Sequence, residues 1–162
     1  MHSWNSSRRI LLARSALVPV AALSVARLAE AADAPASARR STNIALILAF
    51  CKAGQARDVE GQMRFIAEDG IYHNMPDAPI VGATGIRALL TGYLTGSDAT
   101  EIIVHNIAEA RPGVVLTERL DRFRAKGKWI DCPVMGSARI ENGRIQEWRD
   151  YYDNAYLARQ MS

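Results

Sequence analysis

Residues 113–153 read GVVLTERLDRFRAKGKWIDCPVMGSARIENGRIQEWRDYYD, and their alternating apolar and polar side chains decide the fold. Alternation with a period of two is typical of β-strands with one buried face. Together with the segment just upstream, it predicts four long strands, namely Glu101–Ala108, Gly113–Arg124, Lys128–Ile140 and Arg144–Asp153. Asn142-Gly143 is a characteristic two-residue hairpin turn. Consecutive strands joined by short turns predict an antiparallel sheet.

The residues before the sheet carry a helical pattern instead. Within Thr42–Ala53, apolar side chains recur at spacings of three and four at Ile44, Ile47, Leu48 and Cys51, which predicts an amphipathic helix. The same reasoning predicts a second helix from Asp58 to Ala67, an extended piece from Ile71 to Met75, and a third helix from Gly85 to Leu94 with one apolar side formed by Ile86, Leu89, Leu90 and Tyr93. Helices before an antiparallel sheet indicate the α+β class.

Length and composition exclude several classes of protein. The chain has 162 residues, 49% of them hydrophobic and 23% charged, as expected for one globular domain with a tail. Two cysteines are too few for a disulfide scaffold or a four-thiolate zinc site. We expect Cys51 and Cys132 to be buried thiols, although an oxidising compartment would leave a disulfide between them open.

The net charge of +3 arises in the first forty residues, which hold six arginines against two acidic residues. The remaining chain has 14 basic and 15 acidic side chains, so the predicted domain is almost neutral. A neutral domain gives no support for nucleic-acid binding.

Residues 1–31 have the order of a secretory signal: a basic run to Arg14, an apolar run from Ser15 to Ala26, and small residues up to Ala31. Within them, SRRILL at residues 7–12 resembles the twin-arginine export motif. The apolar run is well short of the roughly 20 residues that span a bilayer, so no stable membrane span is predicted. We expect export to the periplasm, a flexible linker over 32–41 and a domain over 42–162. The alternative is a tail that is not translocated, on a cytoplasmic protein.

Charged side chains fall on an otherwise apolar strand face. Alternation over Gly113–Arg124 groups Val115, Thr117, Arg119, Asp121 and Phe123 on one side. Charges among apolar neighbours are tolerated only when they are paired or used. A structural ion pair between Arg119 and Asp121 is one reading, and a functional site is the other.

The final hairpin extends this argument to a second carboxylate. A regular turn at Asn142-Gly143 predicts the pairs Glu141 with Arg144, Arg139 with Gln146, Ser137 with Trp148, and Met135 with Asp150. Gln146, Trp148, Asp150 and Tyr152 then share one face, which would bring Asp150 to the pocket of Arg119 and Asp121. The pattern also allows the reverse, with Asp150 in solvent and Arg149 buried.

Tyr72 and Asn74 alternate on the short extended piece and therefore share a face. Their hydroxyl and amide could hold a water molecule together. The structural alternative is that Tyr72 packs in the core and Asn74 ends the segment before Pro76. The sequence has no G-x-S-x-G elbow, C-x-x-C, P-loop or H-E-x-x-H motif, and no carboxylates cluster around His73 or His105. No metal and no cofactor are predicted.

Three stretches, IYHNMP (71–76), LTERLDRF (116–123) and EWRDYYD (147–153), resemble the limonene-1,2-epoxide hydrolase family in order and interval, over about residues 43–157. The resemblance implies a cone-shaped α+β fold, in which helices wrap a strongly curved, mostly antiparallel mixed sheet around a deep apolar pocket. It also implies a homodimer and cofactor-free addition of water to a small apolar epoxide.

The resemblance assigns roles to five residues. Asp150 matches the carboxylate that activates water, Asp121 matches the acid that protonates the epoxide oxygen, and Arg119 matches the guanidinium that bridges them. Tyr72 and Asn74 match the pair that positions the water. Two alternatives stay open at this point. One is an isomerase or cyclase of the ketosteroid isomerase or SnoaL-like type, and the other is a non-catalytic protein that binds an apolar ligand.

Overall fold

The computed structural model describes residues 36–162. The leader predicted over residues 1–31 lies outside the described residues. The helices are α1 (Ala36–Gln55), α2 (Val59–Met63), α3 (Ala83–Thr95) and α4 (Asn154–Met161). The strands are β1 (Ile66–Met75), β2 (Ile80–Val81), β3 (Ala99–Arg111), β4 (Val114–Ala125), β5 (Lys128–Glu141) and β6 (Arg144–Tyr151). None of the described helices is long and apolar enough to cross a membrane.

The six strands form one curved, open sheet in the order β2-β1-β6-β5-β4-β3. Strands β3 to β6 pair antiparallel in sequence order, as the alternation predicted. Strand β1 lies beside β6 and runs parallel to it, which makes the sheet mixed. The α+β class is confirmed.

The core lies between one face of the sheet and helices α1 and α3. Ile47 and Phe50 of α1 are at most 2% exposed, and Ile86 of α3 is fully buried. They pack in one cluster with sheet residues, among them Val115, Ala138, Ile145 and Trp148. Leu48, which was predicted to lie on the apolar side of α1, is 42% exposed. Phe50 is buried instead, because the side of α1 that meets the sheet is centred on Ile47, Phe50 and Cys51.

Several boundaries differ from the prediction because tertiary pairing overrides local pattern. Helix α1 begins at Ala36, so residues 36–41 are helical where a flexible linker was expected. The second helix ends at Met63, and the residues from Ile66 onward join β1 beside β6. Strand β2 is recognisable only from its pairing with β1. Helix α4 was not predicted, and it begins where the Asp153 carboxylate accepts a hydrogen bond from the Tyr156 N–H.

The predicted register of the last hairpin is wrong by one residue. Glu141 pairs with Arg144 as expected, but the ladder shifts between Arg139 and Ile140. Beyond this irregularity the pairs are Arg139 with Glu147, Ala138 with Trp148, Ser137 with Arg149, Gly136 with Asp150 and Met135 with Tyr151. A β-bulge of this kind inserts one residue on one strand without disturbing the alternation that follows. Gly136, and not Met135, therefore lies opposite Asp150.

Candidate active site

Arg119 is the centre of a buried hydrogen-bond network on the inner face of β4. Its Nε donates to Asp121 Oδ1 at 3.1 Å, and its Nη2 donates to Asp121 Oδ2 at 3.0 Å. In this bidentate arrangement the planar guanidinium matches the planar carboxylate. Arg119 is only 2% exposed, whereas the Asp121 side chain is 30% exposed.

The same guanidinium reaches a second carboxylate on another strand. Arg119 Nη2 donates to Asp150 Oδ2 at 2.9 Å, and Trp148 Nε1 donates to that same oxygen at 2.8 Å. Arg119 Nη1 donates to Thr117 Oγ1 at 2.9 Å. Asp150 is 5% exposed, so the alternative in which it faces solvent is excluded. Arg119 thus bridges Asp121 and Asp150, in the arrangement that the resemblance implied.

The bridge crosses β5 at a glycine. Gly136 lies between Thr117 of β4 and Asp150 of β6 in the ladder. A Cβ atom placed on Gly136 would lie 2.7 Å from Thr117 Oγ1 and 2.8 Å from Asp150 Oδ1, both shorter than real contacts. The missing side chain is what allows Arg119 to reach across the strand. Sequence analysis missed this residue, although a glycine inside a strand pattern is a known sign of close approach.

Burial and charge act against each other in this network. Burial raises the pKa of Asp150 above its ordinary value, and the Arg119 charge and the hydrogen bonds from Arg119 and Trp148 offset only part of that rise. Burial lowers the pKa of Arg119, but the charges of Asp150 and Asp121 outweigh it and hold that pKa well above its ordinary range. The guanidinium therefore keeps its charge, and Asp150 is a stronger base than an exposed carboxylate.

Tyr72 and Asn74 lie beside Asp150 because β1 runs parallel to β6. The register pairs Asn74 with Asp150 and Tyr72 with Trp148. Tyr72 is 8% exposed, and its ring lies 6.2 Å from the Trp148 ring at an interplanar angle of 23°. Burial, followed by the Asp150 charge, raises the pKa of Tyr72 well above its ordinary value, so its hydroxyl stays protonated. Asp150 Oδ1 is buried and has no hydrogen-bond partner among the described residues.

A cavity of about 410 Å³ opens onto these groups. Tyr72, Asn74, Asp121 and Asp150 all contribute to its wall. Most of the remaining lining is apolar and includes Leu90, Ile102, Phe123, Val134, Leu157 and Met161. Arg119 is not part of that wall and lies behind the two carboxylates. A mostly apolar cavity with a few converging polar groups is typical of a small-molecule site.

The structure brings all five predicted residues together, and it adds others that sequence analysis did not assign to the site. The sequence pattern placed Thr117 and Trp148 on the correct strand faces but assigned them no role. Thr117 accepts a hydrogen bond from Arg119, and Trp148 donates one to Asp150. Tyr93, which was predicted as part of the apolar side of α3, accepts a hydrogen bond from Asn74. Cys51 and Cys132 are buried free thiols, as expected, and burial raises the pKa of each to about 12.

Known proteins resemble this chain in sequence and in fold. The chain is 31% identical over 105 residues to the epoxide hydrolase EphG of Mycobacterium tuberculosis, which covers 65% of this chain and 69% of EphG. An epoxide hydrolase from M. tuberculosis that resembles the limonene-1,2-epoxide hydrolases superposes with a TM-score of 0.67 and 28% identity, over 76% of this chain and 94% of that one.

A SnoaL-like protein from Shewanella denitrificans also superposes, with a TM-score of 0.65 and 19% identity, over 74% of this chain and 96% of that one. Identity this low establishes a shared fold and nothing about activity. Finally, the sequence profile of the limonene-1,2-epoxide hydrolase catalytic domain matches residues 41–162. The chain that places Arg119 between Asp121 and Asp150 therefore belongs to the limonene-1,2-epoxide hydrolase family and is an epoxide hydrolase.

Proposed function

We propose that this enzyme opens small apolar epoxides to vicinal diols by direct attack of water, with Asp150 as base and Asp121 as acid. One observation carries the proposal. A single guanidinium holds both carboxylates in the cavity wall, while one oxygen of Asp150 is buried and has no protein partner. A carboxylate oxygen free of protein donors is available to accept a proton from water.

The proposed step is a concerted exchange of two protons and two bonds. Asp150 removes a proton from a water molecule held near Tyr72 and Asn74, and the water oxygen forms a bond to an epoxide carbon. The C–O bond on that carbon breaks, and Asp121 gives its proton to the departing oxygen. Each acid or base contribution is worth roughly 10²- to 10⁴-fold in rate. The proton gained by Asp150 returns to Asp121 before the next turnover.

Arg119 makes this division of roles possible. Two carboxylates that share one proton carry a single negative charge, and the guanidinium neutralises it. The unit of Asp⁻, Arg⁺ and AspH is then neutral, which an apolar cavity tolerates far better than an unpaired charge. An isomerase of the ketosteroid type needs one carboxylate base and a donor for an oxyanion, so the bridged pair favours hydrolysis.

The cavity also limits the substrate. A volume of about 410 Å³ with apolar walls suits a cyclic or terpene-like epoxide whose hydrocarbon part fills the space while the oxirane faces Asp121 and Asp150. We propose this class, which includes limonene oxide and cyclohexene oxide.

Labelled water tests the reaction. The purified protein is incubated with limonene oxide or cyclohexene oxide in H₂¹⁸O under single-turnover conditions, and the diol is analysed by mass spectrometry. We expect the diol of the first turnover to carry ¹⁸O. Unlabelled diol in that turnover would show that an enzyme carboxylate attacks first and forms an ester. Proton exchange without water addition would favour an isomerase, and ligand retention without any turnover would favour a binding protein.

We propose that the enzyme is a homodimer that pairs through the outer face of the sheet. Leu116, Met135 and Tyr151 project from three adjacent strands on that face and are 40%, 55% and 46% exposed. Met135 and Tyr151 also line a shallow hollow on that face, together with Leu120 and Pro133. Exposed apolar patches of this kind are typical of interfaces. Light scattering after size-exclusion chromatography tests the proposal: Met135→Glu is expected to give a monomer, and an unchanged mass would contradict this interface.

Export remains a proposal that rests on the SRRILL motif. We expect periplasmic enzyme in cells that express the full chain, and retention in the cytoplasm when Arg8 and Arg9 are both replaced by Lys. Fractionation and immunoblotting measure the distribution, and an identical distribution for the two forms would contradict twin-arginine export.

A further inference from the structure

Tyr93 contacts Asn74 but takes no part in the proposed proton transfers. It lies near the end of α3 in the cavity wall, and its hydroxyl oxygen accepts a hydrogen bond from Asn74 Nδ2 at 2.5 Å. The residue as a whole is 47% exposed, so it is not part of the buried core. The helical pattern of α3 placed Tyr93 with Ile86 and Leu90, but unlike them it is not buried.

This hydrogen bond fixes the orientation of the Asn74 side-chain amide. An asparagine side chain has a donating nitrogen and an accepting oxygen on the same planar group. With Nδ2 directed to Tyr93, Oδ1 is left to accept a hydrogen bond elsewhere. Asn74 is the residue of β1 that pairs with Asp150, so its amide lies next to the proposed base.

A water molecule that attacks an epoxide needs an amide in this orientation. One hydrogen of the water goes to Asp150, and the second hydrogen needs an acceptor. Asn74 Oδ1 can accept a hydrogen bond from this second hydrogen. Asn74 Nδ2 can only donate, so it cannot bind the second hydrogen of the water. A flipped amide would therefore misdirect the oxygen lone pair that must attack carbon, and misalignment at a reacting centre costs rate steeply.

We propose that Tyr93 is a positioning residue that acts through Asn74, holding the amide so that Oδ1 faces the water which Asp150 deprotonates. This inference rests on the proposed direct attack of water. Burial, followed by the nearby Tyr152, raises the pKa of Tyr93 to about 12. The phenol therefore stays neutral throughout the range in which a carboxylate base works, and its contact with Asn74 does not change with pH there.

A competing role for Tyr93 is direct contact with the substrate, because the residue lines the cavity. A double-mutant cycle separates the two roles. Wild type, Tyr93→Phe, Asn74→Ala and the double variant are compared for kcat and KM with the epoxide that the wild type turns over. Tyr156→Phe is the matched control, since Tyr156 of α4 also loses a hydroxyl but does not line the cavity.

We expect Tyr93→Phe to lower kcat roughly tenfold with KM changed less than twofold, because a neutral hydrogen bond that orients a reacting group is lost. In the Asn74→Ala background the same substitution is expected to change kcat less than twofold. Tyr156→Phe is expected to match the wild type. Thermal unfolding of each variant verifies that the fold is retained.

Equal effects of Tyr93→Phe in both backgrounds would overturn the proposal and assign Tyr93 to the substrate. A rise in KM with unchanged kcat would do the same. If the wild type turns over and Tyr93→Phe is fully active, the positioning role fails while the proposed function stands. Absence of diol from folded wild type with every epoxide tested would overturn the proposed function and this role with it.

Discussion

The polar groups on the two sides of the cavity, in its wall or directly behind it, are held in different ways. On the side formed by β4 and β6, Arg119 and Asp150 are at most 5% exposed and are joined by charge-assisted hydrogen bonds. On the side formed by β1 and α3, Asn74 is partly exposed and Tyr93 is 47% exposed, and a single neutral hydrogen bond links them. Arg119 and the proposed base Asp150 are thus shielded from solvent, whereas Asn74, Tyr93 and the 30% exposed side chain of Asp121 are more accessible.

This difference follows from the cost of burying charge. A buried carboxylate is stable only with a counter-charge and several donors, which fixes its geometry. Neutral amides and phenols carry a smaller penalty and tolerate partial exposure. We therefore expect substitutions on the charged side to lower activity more than those on the neutral side.

The largest effect is expected for Asp150→Asn. The amide cannot accept the proton from water, so kcat should fall by about 10³-fold or more. The fold should be retained, because Arg119 keeps its two hydrogen bonds to Asp121. Initial rates of diol formation and thermal unfolding measure both quantities. A variant that retains a tenth of wild-type activity would rule out Asp150 as the base.

Gly136→Ala should come next. Its new methyl group would press on Asp150 Oδ1 and Thr117 Oγ1, which displaces the bridged carboxylates without changing any charge. We expect a loss of about 10²-fold in kcat, in line with a misplacement of about 1 Å at a reacting centre. Gly92→Ala is the control, because a Cβ there meets nothing within 4 Å although Gly92 also lines the cavity. Equal activity of the two variants would show that the crossing at Gly136 is unimportant.

Tyr72→Phe tests the neutral side with a smaller change. The variant removes one hydroxyl next to Asp150 and keeps the stacking of the ring on Trp148. We expect kcat to fall by about tenfold, as for the loss of one hydrogen bond to an oriented water. Steady-state kinetics with the epoxide used for Asp150→Asn provide the comparison. A loss as large as that of Asp150→Asn would contradict the proposed difference between the two sides.

The smallest expected effect is a shift in the pH dependence of kcat. Because burial raises the pKa of Asp150, the acid limb of kcat should have its midpoint above the ordinary carboxyl value of 3.8. The contribution of Asp150 to stability should instead decrease as the pH rises. A raised pKa means that the contribution of Asp150 to the free energy of unfolding is fully present below pH 3.8 and is lost as the pH rises through the raised pKa.

The measurement compares wild type with Asp150→Asn. Rates and urea unfolding are recorded from acid to neutral pH. As the pH rises, the unfolding free energy of the wild type should fall relative to that of Asp150→Asn. An acid limb at or below 3.8 would show that Arg119 and Trp148 outweigh burial at Asp150.

Much of this site was accessible from the sequence. Alternation along β4 placed Thr117, Arg119 and Asp121 on one face, and the family resemblance assigned roles to all five predicted residues, which the fold then brings together. Position within a strand is encoded locally, since successive side chains point to opposite faces whatever the strand pairs with. For the same reason, Asp150 lies on the buried face although the predicted register was wrong.

The remaining features depend on which elements meet. The irregularity at Arg139 and Ile140 is a property of two strands together, and it puts Gly136 opposite Asp150. The parallel pairing of β1 with β6 brings Asn74 beside Asp150, and no residue near Asn74 in the sequence specifies that pairing. The contact of Tyr93 with Asn74 requires α3 to pack against β1.

The sequence by itself determined the class of the fold, the grouping of Thr117, Arg119 and Asp121 on one strand face and, through the family resemblance, the residues proposed for catalysis. These depend on short-range periodicity and side-chain identity. Only the tertiary structure decided that Arg119 reaches Asp150 across a glycine, that one oxygen of Asp150 is left without a partner, and that Tyr93 holds the amide of Asn74. The physical reason is that distances between strands and helices are set by packing of the whole core, to which every element contributes.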